Sequence, residues 1–202
     1  MTSFADINLD EIKTDCRFYT GYKPCNKFDG CPGCPYYEKR GEQILIIKLG
    51  AMGDVLRSKI ILEPLKREHP ESWIVWLTNP GSEHLVRDPL VDEIRTMSPQ
   101  GLLALEGRHF ARLLCLDKDA EAVALSGRLS ADRRQGFAPT AYNTISIWNE
   151  ASIYALRLGL SDDLKFFRNR KTVPEIVAEM CELPYAHEEY SLHIRDAARV
   201  IR

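Results

Sequence analysis

The stretch "ILIIKLGAMGDVLRS", residues 44 to 58, constrains the chain more than any other. An unbroken apolar run, a loop with two glycines and the start of a helical pattern follow one another without a gap. Apolar residues on both faces of a short run describe a strand buried in a parallel sheet between two layers of helix. A strand, a glycine loop and a helix in that order bring backbone N–H groups and a helix N-terminus to the carboxyl edge of such a sheet, where open α/β folds bind ligands. The loop lacks the G-x-G-x-x-G dinucleotide fingerprint, since only Gly50 and Gly53 are present, and it lacks the Gly-Lys-Ser/Thr of a P-loop. The two glycines are expected to permit positive φ and a close backbone approach to a ligand. Asp54 is expected at or next to the N-cap, its carboxylate facing the crevice, as a cap, a general base or both. Lys48, at the strand end, is a candidate phosphate contact or a solvated lysine.

Strand-like and helix-like segments alternate downstream, which argues for βαβ units. Strands are expected at Ile44 to Leu49, Trp73 to Thr78, Glu93 to Met97 and Arg112 to Leu116. Helices are expected from Asp54 to about Glu68, Glu83 to Arg87, around Leu102 to His109, and from about Asp119 to Leu129. Pro64 predicts a kink or restart in the first helix, because it donates no hydrogen bond and crowds the preceding turn. Beyond Asp132, "RRQGFAP" predicts a short strand and turn, "NEASIYALRLGL" a helix ended by Gly159, and "VPEIVAEMCEL" a helix with Pro174 in its first turn. "YSLHI" predicts an extended piece and "RDAARVIR" the beginning of another helix.

Residues 1 to 40 have a different texture, without periodicity and with Gly and Pro set among four cysteines. The spacing Cys16-x8-Cys25-x5-Cys31-x2-Cys34 gathers four thiols within 19 positions, and "CPGCP" is a turn that presents two sulfurs together. The four cysteines are candidate metal ligands. Structural zinc, an iron–sulfur cluster, and free thiols or an unusual disulfide pair are the three readings of the spacing. Cys115 and Cys181 stand in apolar surroundings and read as packing residues. Basic and acidic side chains balance in this segment, and the whole chain of 202 residues has a formal net charge of −2, so nucleic acid is not an expected partner. "MTSFADINLDEIK" carries acids where an export signal needs a basic stretch, and no apolar run approaches the roughly 20 residues of a membrane helix. A cytoplasmic protein is expected, with peripheral attachment at the inner face of the membrane as a further expectation.

"ILIIKLGAMGDVLRS" followed by "PLKREHPESWIVWLTNPGSEHLVRDPLVDEI", with "RRQGF" and "WNEASIYALRLGL" beyond, resembles the amino-terminal half of glycosyltransferase family 9, the lipopolysaccharide heptosyltransferase family. The resemblance covers about residues 43 to 194. It implies a GT-B architecture, in which an amino-terminal Rossmann-like domain takes the glycan acceptor and a carboxy-terminal domain holds the nucleotide-sugar donor, ADP-heptose being one such donor. It implies that Asp54 is the catalytic base of an inverting transfer. Gly50, Gly53 and Lys48 are then substrate-binding candidates, together with His84 after the Pro-Gly turn and Arg134 in "RRQGF". The donor half would follow, so the chain is expected to be an acceptor-side half. On this reading residues 1–40 form a cysteine-rich cap, 41–190 the Rossmann-like domain and 191–202 the start of a link to a donor domain, and the 202 residues alone are not expected to transfer sugar efficiently. A non-catalytic binding or assembly domain is the alternative. A zinc or iron–sulfur protein in redox or nucleic-acid work is a third reading, resting on the cysteines alone.

Overall fold

The computed structural model describes residues 8–190. The expected extended piece at "YSLHI", beyond its first residue, the helix at "RDAARVIR" and the whole link at 191–202 lie outside the described residues. Two compact units divide the chain, Met1–Gly41 and Glu42–Arg202.

The second unit is a six-stranded sheet in the order β3-β2-β1-β4-β5-β6, built from β1 (Gln43–Ile47), β2 (Trp73–Thr78), β3 (Glu93–Thr96), β4 (His109–Cys115), β5 (Ser130–Pro139) and β6 (Ile145–Ile147). The first five strands run parallel, and β6 closes the edge antiparallel to β5. Ile44 to Ile47 are completely buried, as a central strand covered on both faces must be. Chain order runs outward from β1 to β3, then returns to β4 on the other flank, so the direction of winding reverses between β1 and β4. That reversal opens a crevice at the carboxyl ends of those two strands. Ile47 pairs with both Leu77 and Cys115, which sets the residues after all three at one height.

Helix α1 (Met52–Ser58) passes through a tightened turn at Lys59–Ile61 into α2 (Leu62–Glu68). The tightening lies one turn before Pro64, which has no N–H to give to the carbonyl of Ile60. Buried Lys59 pairs with Asp88 at 3.0 Å. The expected helix at Glu83 to Arg87 is absent, and single turns closed by Ser82 N–H to Asn79 O and Leu85 N–H to Ser82 O occupy the segment. Helix α3 (Pro99–Leu103) starts earlier than the apolar pattern suggests, because Ser98 accepts the Gly101 N–H at 3.1 Å and Pro99 fits the first turn. The residues from His109 onward then form β4.

Helix α4 (Ala120–Arg128) and α5 (Ile153–Arg157) lead to α6 (Val173–Met180), which opens with a capping box between Thr172 and Glu175. Strand β5 is longer than expected, and Gly136 inside it has φ +91°. A Cβ on Gly136 would stand 2.0 Å from the carbonyl oxygen of Cys115, so β4 and β5 pair at this point only around a glycine.

Among its described residues the first unit is irregular, with one short 3-10 turn at Leu9–Glu11 and a single antiparallel bridge between Cys16 and Lys39. No helix of the described residues is long and apolar enough to cross a membrane.

Candidate active site

A cleft of about 520 Å³ opens at the carboxyl ends of β1 and β4, a size suited to a small ligand. The loop after β1 contributes Lys48, Gly50, Ala51 and Asp54; the loop after β4 contributes Leu116 to Asp119; Phe137 of β5 and apolar residues of α6 complete the wall.

Asp54 is the third residue of α1, and the N-cap is Ala51, whose carbonyl accepts the N–H groups of Asp54 and Val55 at 2.8 and 2.9 Å. Its side chain therefore does not cap the helix. It lies half-exposed on the cleft wall, paired with Arg57 at 3.3 Å, and in the first turn it also benefits from the helix dipole.

The two glycines do not play the expected conformational role. Neither Gly50 nor Gly53 has positive φ, and a Cβ on either would meet only side-chain nitrogens at ordinary contact distance, 3.8 Å for Gly50 and 3.6 Å for Gly53. Two amides at the start of the loop are directed at the protein itself. Leu49 N–H and Gly50 N–H donate to Oδ2 of Asp117 at 2.9 and 3.1 Å, and Lys48 Nζ reaches the same oxygen at 3.1 Å. The anion cradled by the glycine loop is a carboxylate of the protein itself. Lys48 is buried by this pair, so it neutralises Asp117 rather than standing free for a phosphate.

Asp117 was not among the residues singled out by the sequence. The signal that could have found it is the one that found Asp54, an acid just beyond an apolar strand, here in "LLCLD". Around it the cleft carries further charge. Asp117 next door, helped by burial, raises the Asp119 carboxyl above its ordinary value. Burial, then the nearby Lys165 charge, lowers the Lys118 ammonium below its own. Lys118 Nζ donates to Ala155 O at 2.9 Å and lies 4.9 Å from the Phe137 ring centre. Lysines 118 and 165 give one side of the cleft a positive character.

Of the residues chosen from the sequence, the structure brings Lys48, Gly50 and Asp54 into the cleft. Gly53 is exposed in the first turn of α1 and His84 is exposed in the turns after β2; neither lines the cleft. Arg134 does not line it either. Its guanidinium donates to the carbonyls of Ser126, Ala131 and Leu129 at 3.2, 3.1 and 2.6 Å and lies over Trp148, so it closes the end of α4 onto β5. Cys115 and Cys181 are buried, and burial pushes each thiol up to about 12, as inert packing residues require.

In the first unit Cys16, Cys25, Cys31 and Cys34 are free thiols lining one small cavity. Among the described residues no three Cys, His, Asp or Glu side chains are grouped as a single metal ion requires. Structural zinc, one of the three readings of the spacing, is not supported by such a grouping among the described residues.

No family model and no curated protein matches the chain. Among solved structures it is similar to E. coli heptosyltransferase WaaC with ADP-2-deoxy-2-fluoro heptose, at 14% identity and a TM-score of 0.50 over 74% of this chain and 51% of that one. It is also similar to WaaC with ADP, at 15% identity and 0.49 over 75% and 51%, and to a glycosyl transferase family 9 protein from Veillonella parvula DSM 2008, at 15% and 0.49 over 70% and 40%. The chain spans about half the length of the WaaC structure on which the likeness rests. At such identity the likeness speaks to architecture, and the second unit has the α/β fold of one half of a GT-B glycosyltransferase.

Proposed function

We propose that the second unit is the acceptor-binding half of a glycosyltransferase and that Asp54 is its general base. The acceptor hydroxyl would give its proton to the Asp54 carboxylate while its oxygen attacks the anomeric carbon of a nucleotide-activated sugar, and the nucleoside diphosphate leaves from the opposite face with inversion. The observation that carries this reading is the position of Asp54. It is a half-exposed carboxylate on the wall of the crevice between β1 and β4, and helix capping does not account for it. Lys118 and Lys165 suit an acceptor that carries carboxylate or phosphate, such as a cell-envelope glycan, and a heptose is proposed as the sugar by analogy with the heptosyltransferase WaaC. The donor is proposed to sit against a second α/β wall facing this cleft, and the site of action to be the cytoplasmic face of the membrane.

The test is nucleoside diphosphate release by the protein with ADP-heptose and an anionic core-glycan acceptor. Asp54→Asn is expected to lower the rate by about 100-fold or more while leaving the thermal midpoint in place. Near-normal turnover by that variant would exclude Asp54 as the base. The pairing of Asp54 with Arg57, which occupies the carboxylate, favours one second reading, a binding unit that holds the glycan without transferring sugar. Saturable acceptor binding with no nucleotide release from any donor would support it.

A further inference from the structure

The four cysteines of the first unit come from three separate stretches of chain and meet at one place. Cys16 sits in the bridge to Lys39, flanked by Arg17 N–H to Glu38 O at 2.9 Å and Arg40 N–H to Asp15 O at 2.7 Å. Those bonds fasten the two ends of the unit together. Cys31 and Cys34 share a turn closed by Cys34 N–H to Cys31 O at 3.1 Å, with Gly33 at φ +69°. Cys25 lies on another turn, where its sulfur accepts the Lys27 N–H at 3.5 Å. All four line a single cavity of about 30 Å³ with Tyr19 and Tyr37.

Among the described residues of this unit Cys16 is the only one that is buried. The described residues of this unit gather no apolar core, and a centre bound in the cavity would supply folding energy that burial does not. Four uncrosslinked thiols around one space supply ligands for a thiophilic centre. Size separates the candidates. A zinc ion draws four sulfurs to about 2.3 Å from one point, which leaves no space between them. The partly open space that the four thiols line, about 30 Å³, exceeds the roughly 10–15 Å³ of a single water-sized sphere. The sulfurs surround a volume, and a polynuclear centre fills a volume.

We propose that Cys16, Cys25, Cys31 and Cys34 bind a [4Fe–4S] cluster through their four thiolates, one to each iron. Each thiol gives up its proton on binding. The Lys27 N–H bond to the Cys25 sulfur and the tyrosine rings at the cavity are the surroundings that tune such a centre and limit its contact with water. The Lys13 side chain, also at the cavity, offsets the negative charge of the cluster with its thiolates.

The experiment is metal analysis of the full chain purified without oxygen, with iron, acid-labile sulfide and zinc counted per chain and the electron paramagnetic resonance spectrum recorded after dithionite reduction. About four iron and four sulfide per chain are expected, with a cluster signal in the reduced protein. Cys31→Ser and Cys34→Ser are expected to lower bound iron by more than about tenfold, whereas Cys181→Ala, in the other unit, keeps it. Far-ultraviolet circular dichroism of the serine variants distinguishes loss of the cluster from collapse of the chain, since the α/β unit has its own core. One zinc without sulfide, no metal in the anaerobic protein, or full iron in both serine variants overturns the proposal.

Discussion

Lys48 and Asp117, 69 positions apart, form a buried ion pair of 3.1 Å that joins the ends of β1 and β4 beneath the cleft. Oδ2 of Asp117 also holds the amides of Leu49 and Gly50, so removing either partner leaves buried polar groups unsatisfied. Lys48→Met is expected to cost about 3 kcal/mol, and Asp117→Ala more, because it orphans the two amides as well as the ammonium. The double variant is expected to lose less than the sum, a coupling that denaturant unfolding of the four proteins would measure.

Asp54 and Arg57 form an exposed pair, and an exposed pair contributes little. Asp54→Asn is expected to change stability by less than about 1 kcal/mol, the dipole contribution included. A loss of several kcal/mol would show a structural role for this carboxylate and weaken its assignment as base.

Gly136→Ala places a Cβ against the Cys115 carbonyl at a backbone angle that L-residues avoid. A loss of more than about 3 kcal/mol is expected, read as a fall in thermal midpoint of roughly 6–12 °C for a chain of this size. An unchanged midpoint would mean that β4 and β5 can separate here without cost.

Glu93 is held at about 2: burial pushes its carboxyl up, but hydrogen bonds and charge from Arg108, then from Arg95, outweigh it. A depressed carboxylate contributes stability above its unfolded value and loses it as pH falls through the folded one. Between about pH 4.5 and 2 the wild type is therefore expected to lose on the order of 2 kcal/mol more than Glu93→Gln, measured as the difference in unfolding free energy across that window.

Lys118 is lowered first by burial and then by Lys165. An anionic acceptor favours its charged form, so acceptor binding is expected to weaken on the alkaline side as the ammonium deprotonates. Lys118→Met is expected to raise KM for the acceptor by about tenfold at neutral pH, consistent with loss of one charged hydrogen bond, and to flatten that pH dependence.

Much of the fold was legible because its signals are local. Ile44 to Ile47 are apolar on both faces, Trp73 to Thr78 is a strand over its whole expected length, and Pro64 marks the tightened turn before it. The helix expected at Glu83 to Arg87 failed where tertiary bonds competed: Asp88 is drawn to buried Lys59 and the chain closes into turns instead. The sequence alone determined that a strand, a glycine loop and Asp54 meet at a sheet edge, and that four thiols lie close along the chain. Only the tertiary structure decided that Asp117 fills the glycine loop, that Arg134 is spent on carbonyls at the end of α4, and that the four sulfurs surround a space. Periodicity reports which face of an element is buried, but the partner across a sheet is set by strand order, and strand order brings together residues whose separation in sequence carries no pattern.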